Sequence, residues 1–153
     1  MRMPHAIRQQ VLVVPAIIAV LAGGPPRAAQ PSTSIHEKGV AVPMRDGVQL
    51  RADILRPAGG RRFPTLVYRT PYGKDAALDE YTTFRRAVER GYAVVVQDVR
   101  GRYASEGDFR PYEQEGRDGY DTIEWAARQP WSNGRVGTFG LSYPGAVQWL
   151  AAI

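Results

Sequence analysis

The sequence predicts an α/β fold: an opening antiparallel hairpin, then parallel strands alternating with helices. Three observations carry this reading. Tyr92 to Val96 is an unbroken apolar run, the pattern of a strand covered on both faces. Val48 to Leu55 alternates apolar and polar residues after the turn signal Arg45-Asp46-Gly47, as in a hairpin with one solvated face. Two stretches of helical periodicity separate the later apolar runs, and that alternation is the mark of a parallel sheet.

Taken in order, Gly39 to Met44 reads as the first strand and Val48 to Leu55 as its partner. In the second strand Val48, Leu50, Ala52 and Ile54 are expected on the buried face, with Gln49, Arg51 and Asp53 on the solvated one. Pro57 to Arg62 is a turn, and Thr65 to Tyr68 is a buried strand that Pro71 ends. Ala76 to Arg90 places Leu78, Tyr81, Phe84, Ala87 and Val88 at helical spacing, so one helix is expected, stopped by Gly91. The strand Tyr92 to Val96 follows, then a polar loop from Arg100 to Pro111. Glu113 to Arg128 is a second helix, ended by Pro130 and Asn133-Gly134. Val136 to Phe139 is a last strand, and Ala146 to Ile153 opens a third helix. Chemistry in such sheets sits at the C-terminal ends of the strands. The loops Thr70 to Asp75, Gln97 to Gly107 and Gly140 to Gly145 are therefore expected to converge.

The third of these loops is the most informative. In Gly137-Thr138-Phe139-Gly140-Leu141-Ser142-Tyr143-Pro144-Gly145 a strand runs into a tight turn, a lone serine and a helix. That order suits a nucleophile elbow, with Ser142 raised above the sheet and helix N–H groups beside a developing oxyanion. The strict pattern G-x-S-x-G fails, because Pro144 stands two residues after the serine and the glycine comes one later. Proline still suits a first helical turn. The motif alone leaves an ordinary strand-to-helix turn as the alternative.

Composition narrows the chemistry. The 153 residues contain no cysteine, which excludes disulfides, thiolate metal sites and cysteine nucleophiles. Only His5 and His36 are histidines, so no metal centre and no cofactor are expected. Of the net charge of +5, Arg2, Arg8 and Arg27 supply three, and residues 1–29 contain no acid. Without them 17 basic residues face 15 acidic ones, no argument for a nucleic-acid partner.

Residues 1–29 read as a secretory signal peptide, with a basic start, the apolar run Val11 to Ala22 and small residues after it. Export to the periplasm or exterior is expected, with no stable membrane anchor, because the run is too short to span a bilayer. Residues 30–34 read as a linker and 35–153 as the α/β domain. The final helix ends in Ala151-Ala152-Ile153 without a cap, so the chain reads as the N-terminal part of a longer domain. Oligomeric state is not legible.

Several further segments match one family in order and spacing. They are Met44 to Leu50, Arg69 to Lys74, Gln97 to Arg102 with Ser105-Glu106-Gly107, Asp118 to Asp121, Gln129-Pro130-Trp131 and Gly140 to Gly145. The chain resembles the serine hydrolases related to cocaine esterase and to X-Pro dipeptidyl-peptidases, which include α-amino-acid ester hydrolases and glutaryl acylases. That family also has its glycine three residues after the serine. The resemblance implies an α/β-hydrolase fold, of which this chain would be the part ending just after the elbow. It implies acyl transfer through an acyl-serine on a small ester, amide or peptide substrate. By position it makes Ser142 the nucleophile, the backbone N–H of Tyr143 one oxyanion donor and the hydroxyl of Tyr72 the other. Each has a plainer rival: Tyr72 as a packing aromatic, and the Tyr143 side chain as packing only. Asp98 is expected to brace its loop through Arg100 or Arg102, Asp118 and Asp121 to be surface or bracing residues, and His36 to be a strand residue and not a base.

The expected triad order is serine, acid, histidine, and neither acid nor histidine follows Ser142 in this chain. The chain alone is therefore expected to be a negligible hydrolase. A non-catalytic remnant or binding module is the competing reading. A nucleotide-binding domain is weaker, because the glycines at 137, 140 and 145 do not form G-x-G-x-x-G.

Overall fold

The computed structural model describes residues 33–152. The expected signal peptide lies outside the described residues, as does most of the linker. Five strands and four helices follow one another as β1 (Ser34–Pro43), β2 (Gln49–Pro57), β3 (Phe63–Thr70), α1 (Lys74–Glu80), α2 (Thr83–Glu89), β4 (Ala93–Asp98), α3 (Glu115–Arg128), β5 (Ser132–Thr138) and α4 (Tyr143–Ala152). Ser34, expected in the linker, already belongs to β1.

The sheet order is β1-β2-β4-β3-β5. β1 and β2 form the antiparallel hairpin, closed by Met44 N–H on Val48 O at 2.9 Å and Gly47 N–H on Met44 O at 3.0 Å. β2 runs antiparallel to β4, while β3 is parallel to both β4 and β5. The mixed α/β architecture is thus as the sequence predicts.

All six residues of β4 are buried, and their alternation builds two cores. Val95 joins Val42, Leu50, Ile54, Val67 and Ala126 on the α3 side. Val94 and Val96 join Tyr68, Phe84, Ala87 and Val88 on the α1–α2 side. Strand periodicity therefore gives one strand two hydrophobic faces, each roofed by helix.

Four local expectations change. The single helix over 76–90 is two, because Tyr81 is extended (φ −98°, ψ 108°). Its ring packs edge-on against Tyr68 at 6.3 Å and Phe84 at 6.1 Å, and the β-branched pair Thr82-Thr83 resists the break weakly. α2 then ends as expected at Gly91 (φ 88°), where Gly91 N–H bonds Val88 O and Tyr92 N–H bonds Ala87 O. β5 begins at Ser132, before Val136, because Phe63 N–H reaches Trp131 O at 2.8 Å and draws this stretch onto β3. α4 begins at Tyr143, before Ala146, with Pro144 in its first turn.

The fourth change is Asp53. Alternation puts it on the solvated face, yet it is fully buried. It accepts from Gly39 N–H at 2.9 Å and from the His36 ring at 2.8 Å, and Lys74 Nζ lies 3.2 Å away. These partners close over the strand face that the binary pattern leaves open.

Candidate active site

The elbow residues adopt the strained geometry that their order suggests. Gly140 has φ 152°, and a Cβ there would meet Pro144 Cβ at 2.5 Å, so only glycine fits. At Gly145 a Cβ would come within 3.2 Å of Gly140 O, which explains a glycine three residues after the serine. Ser142 itself is left-handed (φ 61°), a conformation that costs a non-glycine residue on the order of 1–3 kcal/mol. Its carbonyl accepts from Ala146 N–H at 2.9 Å, so it stands directly before the first turn of α4. The N–H groups of that turn have no intrahelical acceptor and carry the positive end of the helix dipole.

Among the described residues, the non-glycine residues with positive φ are Tyr103, Tyr112 and Ser142. All three lie in the loops after β4 and β5, so the backbone strain is concentrated at one end of the sheet.

Ser142 and Tyr72 line the same cavity of about 380 Å³, together with Tyr68, Tyr81, Phe84 and Phe139. Tyr72 is 58% exposed, and its backbone N–H bonds Thr70 Oγ1 at 3.1 Å. Its ring meets that of Tyr143 edge-on at 6.4 Å, which joins the loops after β3 and β5. The Tyr143 side chain is buried, stacks on Tyr112 at 4.5 Å and donates from its hydroxyl to Glu115 Oε1 at 2.9 Å. Burial first, and then the negative charge of Glu115, push the Tyr143 hydroxyl well above the ordinary tyrosine range.

Asp98 does brace its loop, but through other partners than expected. It accepts from Lys74 N–H at 2.7 Å and from Ala104 N–H at 3.4 Å, while burial raises its pKa. Arg102 instead donates to Pro71 O at 2.9 Å, beside Tyr72. Arg100 pairs with Asp118 at 2.7 Å and with Asp46 at 2.9 Å. Asp118 is therefore a buried brace, and Asp121 pairs with Arg45 at 2.7 Å on the surface.

His36 lies on β1, at the sheet edge opposite β5. Four strand spacings of about 4.8 Å put those edges roughly 19 Å apart. Among the described residues no other histidine occurs, no hydrogen bond reaches the Ser142 hydroxyl, and no group of three His, Cys, Asp or Glu could hold a metal.

Sequence reading missed Glu115. Its signal was available: Glu115, Asp118, Thr122 and Ala126 share one face of α3 at helical spacing, and all four are buried. Polar residues continuing an apolar stripe mark an inward-facing polar network.

Comparison with known proteins bears on the family and the fold. The family described as X-Pro dipeptidyl-peptidase (S15 family) matches residues 46–153. Cocaine esterase from Rhodococcus sp. (strain MB1 Bresler) is 46% identical, the match covering 74% of this chain and 20% of the esterase. A solved CocE/NonD family hydrolase from Staphylococcus aureus superposes with a TM-score of 0.69 at 35% identity, over 78% of this chain and 25% of that one. A solved α-amino acid ester hydrolase gives a TM-score of 0.71 at 31% identity, over 90% of this chain and 26% of that one. The chain spans about a fifth of the length of the curated relatives it matches. With an α/β-hydrolase fold and a family match over most of its length, this chain belongs to the X-Pro dipeptidyl-peptidase (S15) family of esterase- and peptidase-type hydrolases.

Proposed function

We propose that this chain supplies the nucleophile and both oxyanion donors of a serine hydrolase acting on ester or amide bonds of small acyl or peptide substrates. The carrying observation is Ser142, left-handed before α4 and sharing its cavity with Tyr72. In this reading Ser142 Oγ attacks the substrate carbonyl and loses its proton to a general base. The oxyanion accepts from Tyr143 N–H and the Tyr72 hydroxyl. Collapse expels the protonated alcohol or amine, and water then releases the acid from the acyl-serine. A mainly aromatic cavity wall suits an apolar acyl portion.

Tyr72 offers a clean test because its hydroxyl bears no structural load. In the natural protein that carries this chain, Tyr72→Phe should leave the thermal midpoint unchanged and lower kcat for an activated ester by about 10²- to 10³-fold, the usual cost of one oxyanion donor. Undiminished kcat would return Tyr72 to a packing role.

The base is assigned to none of the described residues, since His36, the one histidine among them, lies on the sheet edge opposite Ser142. The isolated 153-residue chain should therefore hydrolyse p-nitrophenyl acetate no faster than its Ser142→Ala form. Serine-dependent turnover by that chain would overturn this expectation. The unengaged Ser142 hydroxyl also favours a second reading, a non-catalytic α/β domain. We further propose that residues 1–29 direct export, which N-terminal sequencing of the secreted protein would check.

A further inference from the structure

Gln148 Nε2 holds the elbow backbone from α4, donating to Gly140 O and Pro144 O at 3.2 Å each, but the side chains at the turn itself are loose. Leu141 is 87% exposed and Ser142 is exposed, so neither side chain packs against anything that would keep Ser142 left-handed. The next residue, Tyr143, is anchored at its far end. Its hydroxyl donates to Glu115 Oε1 at 2.9 Å and accepts from Tyr112 N–H at 3.3 Å.

Glu115 is in turn fixed from behind. Its Oε2 lies 2.9 Å from Arg69 Nη1, an ion contact without hydrogen-bond alignment. The same Arg69 nitrogen donates to the Glu115 carbonyl at 3.0 Å, and Arg69 Nε donates to Gln97 Oε1 at 2.8 Å. Side chains from β3 and β4 thus back the α3 carboxylate that holds the first residue of α4. All are buried, and Arg69 Nη2 and Gln97 Nε2 lack partners. Such a network is costly, and buried ion pairs are poor stabilisers beside apolar packing. Its position explains it better than its energy does.

We propose that Glu115 is a positioning residue: braced by Arg69, it holds the Tyr143 hydroxyl, and thereby keeps Ser142 left-handed and the Tyr143 N–H aimed at the oxyanion. The proposal rests on the reading of Ser142 as nucleophile. Tyr143→Phe removes the tether and leaves the Glu115–Arg69 pair in place.

The test uses the protein as its source cell makes it, with a fluorophosphonate probe and p-nitrophenyl butyrate. Tyr143→Phe should slow Ser142 labelling and lower kcat by about 10- to 100-fold, with KM within about twofold. A purely structural role would lower only the thermal midpoint, and wild-type kcat in the folded variant would overturn the inference alone. Failure of the unaltered protein to label at Ser142 would overturn the hydrolase reading and this inference with it. If Tyr143→Phe does not fold, the double replacement Arg69→Met with Glu115→Leu removes the pair without stranding a charge. The same fall in kcat is expected there, and wild-type kcat would again overturn the inference.

Discussion

Ser142→Ala should abolish fluorophosphonate labelling and lower kcat on an activated ester by a factor on the order of 10⁴–10⁶ in the natural protein that carries this chain. The size follows from the role. An oxyanion donor stabilises one charge, whereas the nucleophile makes the bond, and the remaining groups then act only on attack by water. The substitution should leave the fold intact. Ser142 is exposed, and among the described residues its hydroxyl makes no hydrogen bond. Alanine is not glycine, so the left-handed backbone (φ 61°) keeps its cost. Equal thermal midpoints with lost labelling would therefore isolate the chemistry. Retained labelling in Ser142→Ala would move the nucleophile elsewhere.

The largest effect on stability is expected at Asp53. Asp53→Ala removes the acceptor of Gly39 N–H, the His36 ring and the Lys74 ammonium at once. Lys74 is 6% exposed and keeps only Asp75, at 3.0 Å, as a carboxylate partner. Breaking one side of a buried ion pair costs roughly 3–5 kcal/mol. That should lower Tm by several degrees, fewer the larger the cooperative unit that carries this chain. Burial works against ionising Asp53, but the Gly39 N–H, His36 and Lys74 outweigh it and hold its pKa below the ordinary carboxylate range.

The sign of the pH dependence follows. A depressed carboxylate contributes stability above the unfolded pKa of about 4, and that contribution disappears as pH falls through the lower folded value. The wild-type and Asp53→Ala curves of Tm against pH should be widely separated at pH 6–7 and converge in acid. Parallel curves would mean that Asp53 contributes packing alone. Lys74 also opens α1, two residues after Tyr72, so Asp53→Ala should loosen the Tyr72 loop as well.

Much of this architecture is legible in the linear chain because it follows from local rules. Tyr92 to Val96 announces a buried strand by itself: five apolar residues, three of them valine, follow directly on Gly91 and are too few for a helix. Arg45-Asp46-Gly47 specifies its hairpin turn, and Gly91 ends α2, because positive φ is inexpensive for glycine. The elbow is legible for a steric reason that is equally local. A side chain at Gly140 would strike Pro144 and one at Gly145 would crowd Gly140 O, so no distant residue is needed to explain them.

What depends on contacts across the fold is not legible in this way. Asp53 reads as solvated by alternation, and it is buried by Gly39 and His36 from β1 together with Lys74 at the start of α1. The break at Tyr81 places its ring against Tyr68 on β3, a contact that the local sequence does not announce. Asp98 stands beside two arginines in the chain yet binds backbone N–H groups of other turns. The tether from Arg69 through Glu115 to Tyr143 joins residues 46 and 28 positions apart. Periodicity and turn chemistry report on backbone conformation and on which face turns inward, because both are set within a few residues. Which charges meet once buried is a property of strand order, and strand order exists only after the chain has closed on itself.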